Sequence, residues 1–189
     1  DIHAVRIAAG GAHLLLGCDI VTAGSNDTLG KLRAGHSRAV INSFEAMTAE
    51  FTRNPDMEFP EAALIEAIKA ATGQGGSDFV DASRLATALL GDSIASNLFM
   101  VGFAYQKGLV PLSAEAILRA IELNGVAIDF NNQAFSWGRR AAHDPAAVQE
   151  IALPDGITGG IDQTALTVEQ VVAGRAKMLD AYQDAAYAA

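Results

Sequence analysis

The spacing of apolar residues along the chain predicts strands and helices in turn. His13–Cys18 (HLLLGC) is a short apolar run next to glycine, the pattern of a strand buried in a parallel sheet. Asp19 can cap a following helix to about Leu32, with Val21, Leu29 and Leu32 as its apolar positions. Arg38–Asn42 (RAVIN) reads as a second strand after the turn at Gly35-His36. Residues 43–60 hold a candidate short helix interrupted at Asn54-Pro55 and Phe59-Pro60. Pro60 suits the first turn of a helix over Glu61–Ala71, where its missing N–H costs nothing, and Leu64, Ile65 and Ile68 form the inner stripe. A glycine-rich turn over Thr72–Gly76 leads to a third strand, Ser77–Asp81, and then a helix, Ala82–Leu90.

The longest apolar stretch follows. A helix capped by Asp92 or Ser93 runs to Lys107, with Ile94, Leu98, Val101 and Tyr105 at helical spacing and Ala95, Phe99, Gly102 and Phe103 on the neighbouring face. A helix apolar nearly all round belongs in a core or an interface. Lys107 suits its negative end, and Gly108 and Pro111 prevent continuation. Ser113 caps a second helix ending at Asn124-Gly125, with Ile117, Leu118 and Ile121 inward. Val126–Ala142 predicts a third, with Phe130, Ala134, Trp137 and Ala141 on one side, and Asp144-Pro145 starts a short fourth. Pro154–Gly160 reads as a linker, and Thr167 caps a last amphipathic helix with Val171, Val172, Met178, Leu179 and Tyr182.

Strand and helix alternate three times before the helices take over. That order predicts an α/β fold in three layers: a short, mostly parallel, Rossmann-like sheet flanked by helices, with a helix-rich C-terminal half. A doubly wound sheet has more strands than three, so further strands are expected to precede Asp1. The expected organisation is one domain over 1–153 and a linker with a helix leading into a following domain over 154–189.

Composition narrows the function classes. The 189 residues are half hydrophobic and include 18 glycines, enough for one domain with a real core. The formal net charge of -9, with no basic cluster beyond Arg139-Arg140, argues against nucleic acid. The apolar run near residue 100 is too short and too interrupted to span a membrane. A single cysteine, Cys18, excludes an internal disulfide and a cluster built from this chain's thiolates alone, and a cytoplasmic setting fits.

Candidate chemistry is sparse. Asp19, Asn42, Ser43 and Asp81 lie at or just past the carboxyl ends of predicted parallel strands, where open α/β sheets bind ligands. Asp19 and Asp81 read more simply as helix caps, and Asn42-Ser43 can satisfy turn backbone groups. Cys18 is expected to be a buried structural cysteine, since no base stands at telling spacing and His13 and His36 could approach only through the fold. Gly73-Gln74-Gly75-Gly76 precedes a strand, the reverse of a phosphate cradle. Asn97, a polar residue in an apolar helix, is expected to hydrogen-bond a neighbouring element or a subunit. Arg139 and Arg140 could meet a carboxylate or phosphate as a bidentate fork but read more simply as a solvated helix end, and His143 as a partner of the helix dipole. No catalytic triad, metal cluster or paired-carboxylate site emerges.

LLLGCDIV, RAVIN, TAEFTRNPDMEFP and the long run DFVDASRLATALLGDSIASNLFMVGFAYQKGLVPLSAEAILRAIELNGVAIDFNNQAFSWGR together carry a family likeness. From Asp1 to about Asp144 the chain resembles the gamma-type domain of bacterial indolepyruvate ferredoxin oxidoreductase, the fused member of the 2-oxoacid:ferredoxin oxidoreductase family. FTRNPD and LLGDSIASNLFMVGFAYQKGLVPL are its most specific parts. After about Leu153 the chain is similar to the start of the region that follows this domain. The family's opening strand, GxGGxG-type loop and helix are absent, so the resemblance is to the later part of the domain.

The resemblance implies a thiamine-diphosphate-dependent oxidative decarboxylation of an aryl 2-oxoacid to an acyl-CoA, with electrons passing through iron–sulfur clusters to ferredoxin. Thiamine diphosphate, Mg and the clusters belong to other domains. This piece is then a structural and assembly domain, partnered by the other domains or subunits of the enzyme in a homo-oligomer. It touches coenzyme A or the active-site rim, if at all, through Asp19, Asn42 and Ser43. No catalytic residue carries over. Beside that likeness, the apolar helix with Phe99 and Asn97 is expected to pack against neighbouring domains or a symmetry mate. Two other readings stay open. One is the helical dimerisation half of an NAD(P)-dependent dehydrogenase, which needs a GxGxxG loop this sequence lacks. The other is a non-enzymatic oligomerisation scaffold.

Overall fold

The structure is a computed structural model that describes residues 6–45 and 59–153. The chain divides into two units, Asp1–Ala152 and Leu153–Ala189, and the second lies outside the described residues except for Leu153. The expectations for the short helix in 43–60, the FTRNPD segment, the linker and the final helix also fall largely outside them.

Three parallel strands form one sheet in the order β1 (Leu14–Gly17), β2 (Arg38–Asn42), β3 (Ser77–Val80). β2 is central, and its alternation sorts the core. Ala39 and Ile41 point to one face, where they meet Ile20, Ala23 and Ile68. Val40 points to the other, where it meets Ala82, Leu85, Phe99, Met100 and Phe103. The first face is covered by α1 (Ile20–Ala23) and α3 (Glu61–Thr72), with α2 (Asn26–Leu29) beside them. The second is covered by α4 (Ala82–Leu90) and α5 (Ser96–Gln106). This is the three-layer α/β arrangement the element order predicts.

One expected helix, from Asp19 to about Leu32, is instead two short ones. Gly24 closes α1 through its N–H, and the Ser25 hydroxyl caps α2 by accepting from the Thr28 N–H at 3.4 Å. A serine that caps a new helix outcompetes continuation because its side chain satisfies a free first-turn donor.

The remaining helices, α6 (Ala114–Asn124), α7 (Ile128–His143) and α8 (Pro145–Ala152), build on the outer side of α5. Ile117, Ile121 and Phe135 pack with Leu98, Val101 and Tyr105 of α5. The apolar girdle of α5 is therefore covered on both sides by its own chain, with Phe99 and Met100 at 0% exposure. The reading of Phe99 as an interface residue gives way to this core position. Ile94, expected on the apolar face, is 67% exposed, and Asn97 is exposed with no side-chain hydrogen bond to a neighbouring element among the described residues. Residues 93–95 form a 3-10 turn before the helix proper, which rotates Ile94 outward.

α5 and α7 cross at contact distance through a pair of glycines. A Cβ on Gly102 would overlap the Phe135 carbonyl oxygen, and one on Gly138 would overlap the Phe99 carbonyl oxygen. The buried face of α7 is accordingly Ala134, Phe135, Gly138 and Ala141. Phe130 and Trp137, expected on that face, are half-buried at its margins. Asp78 ties the far end of α5 to the sheet, accepting from Lys107 Nζ at 3.0 Å and Arg38 at 3.4 Å.

Candidate functional site

Parallel pairing brings the carboxyl ends of all three strands to one edge, and with them Asp19, Asn42, Ser43 and Asp81. Asn42, the last residue of the central strand, is 3% exposed. Its Oδ1 accepts from the N–H groups of Ala82 at 3.0 Å, Phe44 at 3.3 Å and Ser83 at 3.4 Å. Its Nδ2 donates to the Cys18 carbonyl at 3.1 Å and the Ser83 hydroxyl at 2.9 Å. The amide thus clasps the end of β1 to the start of α4 across the central strand.

Asp19 caps α1: Oδ1 accepts from the Val21 N–H at 2.9 Å and Oδ2 from the Thr22 hydroxyl at 2.7 Å. Asp81 caps α4, accepting from the Arg84 N–H at 3.0 Å. The Ser43 N–H continues the ladder to the Val80 carbonyl at 3.0 Å, and its hydroxyl has no hydrogen-bond partner among the described residues. Next to it, Phe44 is 46% exposed.

Cys18 lies on this edge and is exposed, not buried as expected. The strand ends at Gly17, so the alternation that would carry residue 18 inward stops one position short. Partial desolvation by its surroundings raises the thiol pKa above its ordinary value of 9.0, so the group is protonated at neutral pH and a poor nucleophile.

At the opposite edge, the fold brings His13 and His36 together, with ring centroids 4.6 Å apart. Among the described residues no group of three or more His, Cys, Asp or Glu side chains converges as a metal site would require, and no described helix is long and apolar enough to cross a membrane.

The carboxyl edge does two things chemically. It satisfies backbone groups through Asn42, Asp19 and Asp81, and it offers one free hydroxyl beside one exposed ring. Sequence reasoning placed the four edge residues together but not the depth of Asn42's engagement. The signal for it was present, since a polar residue ending an apolar strand has few solvent routes. No protein-family profile, curated protein or solved structure matches the chain.

Proposed function

We propose that this chain is the later part of a gamma-type domain in a thiamine-diphosphate-dependent indolepyruvate:ferredoxin oxidoreductase, serving assembly at the active-site rim and not catalysis. One observation carries the reading. Three of the four segments of likeness build the centre of the unit: LLLGCDIV is β1 and its cap, RAVIN is β2, and the long run from Asp78 to Arg139 spans β3 to α7. In that enzyme thiamine diphosphate with Mg and the iron–sulfur clusters reside in other domains, ferredoxin takes the electrons, and the assembly is a cytoplasmic homo-oligomer.

The carboxyl edge supports an assembly role over a cofactor role. Asp19 and Asp81 put two carboxylates there, and both ends of the Asn42 amide are engaged within the chain. These residues do not fit the phosphates of coenzyme A, which need cationic or free N–H donors. Ser43 and Phe44 suit contact with a neighbouring domain. Exposed apolar residues on the helical side, Ile94 at 67%, Leu123 at 71% and Val126 at 63%, offer further contact area.

The test is activity of the native polypeptide or complex that contains this chain, purified from its own host through a tag. It is expected to carry thiamine diphosphate and iron–sulfur clusters and to reduce a viologen dye with indolepyruvate and coenzyme A. A preparation with neither cofactor and no indolepyruvate-dependent reduction overturns the reading and favours a scaffold.

A further inference from the structure

We propose that the outer face of α7 around Arg139 and Arg140 is a binding groove for a phosphate-bearing small molecule. Ser136, Arg139, Arg140 and His143 are spaced i, i+3, i+4 and i+7, which places them along one face of the helix. With Gln106 of α5 they line an open surface depression of about 300 Å³. A second depression of about 250 Å³ adjoins it and shares Ser136 and Arg140, adding Asn132, Gln133 and Trp137.

Arg139 is braced from outside its own helix, and Arg140 by a ring within it. Arg139 Nε donates to Gln106 Oε1 at 3.1 Å, and its guanidinium lies 5.1 Å from the Tyr105 ring centre and 5.9 Å from that of Phe135. Arg140 lies 5.2 Å from the Trp137 ring centre. Neither arginine forms an ion pair among the described residues, although the chain carries a net charge of -9. Cations at a helix C-terminus are expected from the dipole alone. The dipole needs neither the Gln106 bond nor the ring contacts; the Gln106 bond and the Tyr105 ring hold the Arg139 guanidinium, the Trp137 ring lies against that of Arg140, and the terminal amino groups of both have no partner among the described residues.

A tetrahedral dianion suits this set. Two planar forks and an imidazole give more donors than one carboxylate can use, and Arg is the preferred side chain for phosphate. The adjoining depression sets the Trp137 ring beside Arg140, an apolar flank for the rest of the molecule.

Trp137 is the chain's one tryptophan, so its emission reports on this groove alone. The full chain is titrated with inorganic pyrophosphate at constant ionic strength, by calorimetry and by tryptophan emission. The expected result is saturable binding that changes Trp137 emission, is weakened about tenfold or more by Arg140→Gln, and is partly retained by Arg140→Lys. Arg119→Gln removes an equal charge from an exposed position on α6 and is expected to leave binding unchanged, with circular dichroism showing each variant folded. Absence of saturable binding, binding heat without an emission change, or equal weakening by Arg119→Gln overturns the proposal. Tighter binding of a polyglutamate peptide than of pyrophosphate also overturns it, in favour of a protein partner.

Discussion

The crossing of α5 with α7 and the carboxyl edge of the sheet both bring backbone groups close together, by opposite means. At the crossing, the side chains are removed: Gly102 and Gly138 let two helix backbones touch. At the edge, one side chain is inserted: the Asn42 amide stands between β1 and α4 and takes hydrogen bonds from both. The first contact is apolar and tolerates no added atom. The second is polar and tolerates no missing one. The two kinds of site therefore fail under opposite substitutions.

The largest effect is expected at the crossing. Gly138→Ala places a methyl group against the Phe99 carbonyl, which belongs to a helix buried on both sides and cannot move aside. Alanine is the better helix former by about 1 kcal/mol, so propensity alone predicts a gain. Overpacking against backbone is expected to reverse the sign, with a net loss of about 3 kcal/mol or more in urea unfolding. Gly102→Ala should do the same. The double variant should cost much less than the sum, because one methyl group already parts the helices. A neutral or stabilising Gly138→Ala would show that the crossing is loose.

At the edge, Asn42→Ala removes five hydrogen bonds and strands buried N–H groups at Ala82 and Ser83. A loss of about 2–4 kcal/mol is expected. Asn42→Asp sharpens the comparison. It keeps the acceptor for Ala82 and Ser83 but turns a carboxylate oxygen toward the Cys18 carbonyl, so it should rescue part of the loss at acid pH and little at neutral pH. Equal stability of the two variants at every pH would mean that the donor side contributes nothing. Asp81→Ala is a smaller change at the same edge. It removes one cap, to the Arg84 N–H, and should cost about 1 kcal/mol.

These contrasts explain what was legible in the sequence. β2, α4 and α6 fall where the apolar period and the capping residues place them, at Arg38–Asn42, Ala82–Leu90 and Ala114–Asn124. Local signals suffice there because burial and turn chemistry agree. The Asp19–Leu32 stretch breaks into two helices because two local signals compete within it, and the internal serine cap prevails. On α7 Ala134 and Ala141 are buried as the period predicts, but Phe135 and Gly138 take the places expected of Phe130 and Trp137, because size decides which face can approach another backbone, and periodicity counts only polarity. An isolated glycine inside each of two helices was the available sign. Asn97 lies on the narrow exposed strip of α5, which the pattern leaves open because that helix is apolar on most sides. The edge residues were legible as a set because strand ends of a parallel sheet must gather. Their individual engagement was not, since it depends on partners some 24 and 40 positions away in the chain.

The amino edge of the same sheet extends the comparison to a contact that is neither filled nor clasped. His13 and His36 stand before β1 and β2, both exposed, with rings 4.6 Å apart. Desolvation, then the charges of Arg33 and His13, lower the His36 pKa from its ordinary value of 6.5. The folded chain therefore resists a proton that the unfolded chain accepts. Above about pH 6.5 neither state binds it, and stability is full. As pH falls below that value the unfolded state binds more protons than the native state, so stability declines until the folded His36 also titrates. The effect should be the smallest of these and additive with the variants at the far edge, because the sites share no partners. Urea midpoints measured between about pH 7 and pH 5 should fall more steeply for the native chain than for His36→Gln, against the shared background of carboxylate titration. Identical slopes would mean that the ring pair exerts no electrostatic effect and that the two histidines merely lie side by side.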